Sequence, residues 1–203
     1  MATDRLEIDL ERFDGWLRRL VDDHPGALVT HRDEPGGAAT TVTWPDGGAE
    51  CGRFDLDPLI LVLIRRGGYA VGVAEGGELV AAKVGRRRVQ GRTAAGGWSQ
   101  QRYARRRANQ ADHLVDAVAG HAATLATRQA PAALVLGGDR RLGTHVLADP
   151  RLEALTGLPR RELPDLPDPS ARVLAVALRR ARTVWVRFTT PARPVEHGRR
   201  DRG

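Results

Sequence analysis

The chain has 203 residues, enough for one large domain with a buried core or one domain with tails. Its 41% hydrophobic and 28% charged residues are those of an ordinary globular protein, and with only 4% aromatics the core must rest on Val, Leu, Ile and Ala. The formal net charge of +7 points to an acidic partner, nucleic acid being the usual one, and the lone Cys51 excludes an internal disulfide framework.

In chain order, Ile8–Val21 has helical spacing, with Ile8, Phe13, Trp16, Leu17 and Leu20 on its apolar side, and His24-Pro25-Gly26 stops it. Ala27–His31 and Thr40–Trp44 are short β-rich runs joined by the turn-like Asp33–Gly37, a hairpin. Pro58–Ile64 is a continuous apolar run of strand length, far short of the roughly 18 residues that span a membrane. Tyr69–Ala74 and Glu78–Val84 continue it as a meander with glycine turns, and Arg86–Gly91 extends the last strand. Ser99–Arg128 is one long helix, with Ala104, Ala108, Ala111, Val115, Val118, Ala122 and Leu125 forming an inward stripe and Arg102 and Arg106 opposite it. Then come a strand at Ala132–Leu136, a short helix near Pro150–Leu155 and a Pro-rich connector at Leu163–Pro169. A helix at Ala171–Arg180 and a strand at Thr183–Phe188 close the pattern. The expected fold is an α/β sandwich of the ribonuclease-H-like type, with a mixed sheet and one long helix.

The acidic N-terminus has no apolar signal core, so a cytoplasmic location is expected. The basic residues include one lysine, Lys83, so abundant arginine is also consistent with compositional bias and solvated surface. Their distribution favours a role. Arg86, Arg87, Arg88, Arg92, Arg102, Arg105, Arg106 and Arg107 fall in one stretch that holds no Asp or Glu. A local field of one sign suits phosphate, and the planar guanidinium fork matches its oxygens.

Inside that stretch lies Gly91-Arg-Thr-Ala-Ala-Gly-Gly-Trp-Ser-Gln-Gln-Arg-Tyr103. Gly96-Gly97 permits close backbone approach to a ligand, and Ser99 is a natural N-cap that leaves Gln100, Gln101 and Arg102 in the first turn. Unpaired N–H groups there favour an anion. A flexible glycine turn ahead of a capped helix explains the same residues without any function. Trp98 is an aromatic in a polar loop, suited either to stacking on a base or to anchoring the loop.

GGWSQQR resembles the glycine-glycine-glutamine loop in the middle domain of eukaryotic and archaeal class I release factors. It is closer still to the loop of ribosome quality-control factors that cleave peptidyl-tRNA, best of all in their actinobacterial release-factor-like branch. VGRRRVQGRTAA is similar to the basic strand entering that loop, and ALVLGG to the strand after the long helix. The resemblance is specific over about residues 81–139. It implies a release-factor middle-domain-like fold over residues 1–190, a single catalytic domain; 191–203, which has no apolar pattern, is expected to be a disordered basic tail. It places the catalytic glutamine at Gln100, flanked by Gly96 and Gly97, with Gln101 a second candidate because Trp98 is inserted. The activity implied is stop-codon-independent hydrolysis of peptidyl-tRNA by a monomer on the large ribosomal subunit, with no cofactor, metal or membrane. In some relatives the loop instead cuts the tRNA strand near its CCA end.

Two other classes fit less well: a non-catalytic ribosome- or tRNA-binding module, and a ribonuclease-H-like nuclease, whose clustered carboxylates the loop region lacks. The six His are scattered without metal-ligand spacing. Gly137-Gly138-Asp139-Arg140-Arg141 after a strand could cradle a phosphate, but it lacks Walker or dinucleotide spacing and a plain turn is the favoured reading. Asp112, His113 and Asp116 read as a solvated helix face, Cys51 as a buried or spare thiol, and Trp16, Trp44 and Trp185 as core.

Overall fold

The computed structural model describes residues 5–34, 36–86 and 98–189, the side chains of 98–109 excepted. The first half carries β1 (Leu6–Ile8), α1 (Leu10–Asp22), β2 (Leu28–Glu34), β3 (Gly37–Trp44), β4 (Gly47–Phe54), β5 (Leu59–Arg65), β6 (Gly68–Glu75) and β7 (Glu78–Arg86). After it come α2 (Trp98–Arg128), β8 (Ala133–Gly138), α3 (Arg140–Leu147), a 3-10 turn (Pro150–Leu152), α4 (Glu153–Thr156), β9 (Arg160–Leu163), α5 (Ala171–Ala181) and β10 (Val184–Thr189). Contacts divide the chain into two compact units: Met1–Glu34 with Ala38–Arg53 and Val184–Gly203, and Pro35–Gly37 with Phe54–Thr183.

The first unit is a five-stranded sheet of order β1-β10-β4-β3-β2 carrying α1. Phe13 and Leu20 recur on one side of α1 and pack with Val42, Ala49, Cys51, Val184 and Val186, one residue in two along the strands. Asp23 ends the helix, its N–H reaching back to the Arg19 carbonyl, and the His24 ring lies 4.0 Å from that of Trp44. Trp16 and Trp44 pack against this core, as expected. Trp185 does not: it alternates with buried Val184 and Val186, so its ring takes the other face, where the Arg5 guanidinium sits 3.2 Å from the ring centroid. The sequence reading also missed β4. Its glycines have low strand propensity, but a Cβ at Gly48 would lie 2.9 Å from the Val42 carbonyl, so the close approach of β3 needs one.

The second unit is a mixed sheet of order β7-β6-β5-β8-β9. β5, β6 and β7 form the antiparallel meander, and β5, β8 and β9 run parallel. This is the mixed α/β architecture with a long helix that the sequence predicts. Both faces of β5 are buried, which is why it is apolar throughout rather than alternating. Ile60, Val62 and Ile64, beside Val71, Val73, Leu134 and Leu136, face α2 and α3. The opposite face holds α5: a Cβ at Gly72 would sit 2.8 Å from Leu174, so that glycine seats the helix against β6.

On α2 the stripe runs as expected from Ala111 through Val115, Val118, Ala122 and Leu125, widened by Leu114 and Ala119. Ala104 and Ala108 lie outside the described side chains. Two elements were not legible. β9, Arg-Arg-Glu-Leu, is a strand only because it pairs with β8, far away in sequence. Gly137–Arg141 is not the expected turn: Gly137 and Gly138 end β8, and Arg140 and Arg141 begin α3, where the Asp139 carboxylate caps the N–H groups of Arg141 and Leu142 at 2.9 and 3.1 Å. Residues 191–203, expected to form a tail, lie outside the described residues.

Candidate nucleic-acid interface

The β6–β7 hairpin fixes where the basic stretch begins. Gly68 pairs with Arg86 and Tyr69 with Gly85. A Cβ at Gly85 would collide with the Tyr69 ring, so the glycine lets the ring lie over the last strand. That ring also stands 5.5 Å from His121 of α2, tying helix and strand end together. Arg86 is thereby held exposed at the rim of the sheet, where β7 ends.

The helix on the other side of the loop is equally well placed. At its C-terminus the Gln129 amide donates to Glu75 at 2.7 Å, at the far end of β6 from Tyr69. The N-terminal end of α2 therefore points toward the rim of Arg86. The described packing of α2 into the core begins at Ala111, and the helix continues about 20 Å further toward Trp98. Midway, Arg151 braces it: its guanidinium donates to Asp116 at 2.6 Å and to both carboxylate oxygens of Asp149 at 2.7 and 2.8 Å. Those bonds hold the Asp149 carboxyl down to about 2. Asp112, His113 and Asp116 are exposed, the solvated face expected.

Gln100 and Gln101 lie in the first turn of α2, whose free N–H groups carry the positive end of the helix dipole. Trp98 and Ser99 are already helical, so Ser99 is not the capping residue, a shift within the ordinary blur of helix ends. Gly96, Gly97, Arg87, Arg88 and Arg92 lie outside the described residues. Of Trp98, Arg102, Arg105, Arg106 and Arg107 the structure gives the helical backbone positions alone.

The sequence reading did not single out Arg65 and Arg66, and it weighed Arg140 and Arg141 only within a candidate phosphate turn that it set aside; the two Arg pairs lie at the ends of buried strands. Arg65 pairs with Gly68 across the meander, and the Asp139 N–H donates to the Ile64 carbonyl at 2.8 Å, so both pairs leave the sheet at the rim of Arg86. Arg65 donates to the Pro164 carbonyl at 3.2 Å, and its enclosed Nε has no partner among the described residues. The missed signal was doubled Arg at the C-terminal ends of two parallel strands, visible only once their pairing is known. Among the described residues no group of three or more His, Cys, Asp or Glu is placed to hold a metal ion.

A basic rim, a long helix and a glutamine pair in its first turn mark the candidate site of this mixed α/β protein. The profile of the Actinobacteria/chloroflexi VLRF1 release factor family matches residues 57–187, more than half of the chain, and the chain belongs to that family. None of the curated proteins matches it.

Proposed function

We propose that this release-factor family member hydrolyses peptidyl-tRNA on stalled large ribosomal subunits, with Gln100 orienting the attacking water. The observation that carries the proposal is the position of Gln100 and Gln101 in the first turn of α2, directly behind Gly96-Gly97, in a chain of this family. A neutral amide is no strong base. It holds a water by hydrogen bonds against the ester carbonyl, while backbone N–H groups of the turn face the negative charge that develops there. The water oxygen bonds to the carbonyl carbon, the bond to the tRNA ribose oxygen breaks, and that oxygen takes up a proton. Gly96 and Gly97 let the backbone approach the substrate, Trp98 stacks on a base of the CCA end, and Arg86, Arg87, Arg88, Arg92, Arg102, Arg105, Arg106 and Arg107 hold phosphates. The working species is a cytoplasmic monomer, acting through one catalytic domain over residues 1–190.

The test is a pair of alanine variants. Gln100→Ala should slow peptide release at least about a hundredfold, the range lost with one positioning contact. Binding to large subunits should survive, and Gln101→Ala should be the milder change. If Gln101 proves the critical residue, the register shifts by one. If both variants release peptide at the wild-type rate, the hydrolase reading fails and a non-catalytic RNA-binding module replaces it.

A further inference from the structure

The basic stretch Arg86–Arg107 is not the whole of the charged surface at this end of the molecule. Four strand ends meet at one rim. Arg86 pairs with Gly68, Gly68 with Arg65, and Ile64 with Gly138, so β7, β6, β5 and β8 deliver Arg86, Arg66 and Arg141 side by side. With strands about 4.8 Å apart, the backbone carrying these three arginines spans roughly 15 Å. All three are exposed, and none makes an ion pair with a described residue.

Two of the carboxylates nearby are already engaged. Asp139 caps α3 through the N–H groups of Arg141 and Leu142. Glu162 shares its oxygens between Arg140 at 3.4 Å and Arg160 at 3.9 Å. The remaining acid, Asp168, lies beside Gly67, 3.8 Å from where that residue would carry a Cβ. Because Asp139 fills the N-terminus of α3, an anion at the rim must be met by guanidinium groups rather than by the helix end. Gly138 has φ +91°, and a Cβ there would press on the Arg65 side chain at 3.1 Å.

We infer that this strand-end rim, through Arg66 and Arg141, is a second RNA-backbone contact, engaging phosphates away from the reacting end held by the loop. The inference rests on the RNA-binding part of the proposed function and extends its surface from the loop to the sheet. RNA is favoured over an acidic protein because the rim is continuous with the start of the Arg86–Arg107 stretch. Each exposed guanidinium there has the geometry to bridge two phosphate oxygens.

The test uses the full chain and fluorescently labelled deacylated tRNA, with binding measured across a salt series. Arg66→Ala/Arg141→Ala should flatten the log–log salt slope by about 1.5 and weaken binding roughly tenfold, as expected for two lost phosphate contacts. Arg66→Lys/Arg141→Lys should restore most of the slope, which a merely misfolded variant would not do. Arg128→Ala, on an exposed residue at the opposite end of the sheet, should leave it unchanged. If the Ala pair keeps the wild-type slope while Arg105→Ala/Arg106→Ala/Arg107→Ala loses it, the rim is ordinary surface and the loop reading stands. If the wild-type chain binds tRNA without salt dependence, or not at all, both readings fall together.

Discussion

Cys51 and Arg161 are the two buried side chains whose chemistry most needs explaining. Cys51 is 2% exposed among Val42, Ala49 and Val186, and burial pushes its thiol up to about 11. A raised thiol stays protonated through the neutral range, so Cys51 is packing, as the sequence suggested, and not a nucleophile. An aromatic disulfide reagent should label it only as fast as the chain opens, and rapid labelling at pH 8 would contradict its burial. Arg161 is 6% exposed and donates to the carbonyls of Ala181 and Thr183, both at 2.7 Å, at the C-terminus of α5 where the helix dipole is negative. Arg161→Ala would leave those carbonyls unpaired in the interior and should cost about 3 kcal/mol in denaturant unfolding. A loss below about 0.5 kcal/mol would show that the carbonyls find other partners. Nothing in the local sequence Pro-Arg-Arg-Glu-Leu marks this arginine as buried, because its partners lie twenty residues away in the chain.

At the scale of elements, legibility followed how local each signal is. The apolar run at Leu59–Ile64 and the stripe along α2 depend on spacing alone, and both appear where spacing puts them. β4 and β9 depend on partners elsewhere in the chain: β4 carries glycines that its neighbours require, and β9 is charged but pairs with β8. α3 was hidden for a different reason. Asp139 after two glycines is a turn signal and a helix-capping signal at once, and only the burial of Leu142, Val146 and Leu147 decides between them. The candidate site was legible in its helix start, because Gln100 and Gln101 sit near a boundary that periodicity locates. Of the rim arginines, Arg66 was not, and Arg141 was weighed only within a turn that lacks a phosphate-loop spacing. The helix itself carries a prediction: Arg105→Ala/Arg106→Ala/Arg107→Ala should flatten the salt dependence of RNA binding by about two units while leaving unfolding unchanged. An unchanged slope would make those residues solvated surface.

At the scale of the molecule, the family match covers the second unit nearly from end to end, together with the start of β10. The long helix, the mixed sheet and the basic rim all belong to that unit. Among the described residues no helix is long and apolar enough to cross a membrane. The proposed function separates the roles: arginines at the rim and along the start of α2 would supply affinity, and the first turn of α2 would supply chemistry. The most direct measurement incubates the full chain with isolated large subunits carrying a labelled peptidyl-tRNA, then examines both the peptide and the tRNA 3′ end. Ester hydrolysis predicts free peptide and a tRNA with an intact CCA end that can be aminoacylated again. Peptide still attached to a short 3′ fragment would contradict hydrolysis and assign the loop to strand cleavage, and no release at all would leave the chain a binding protein.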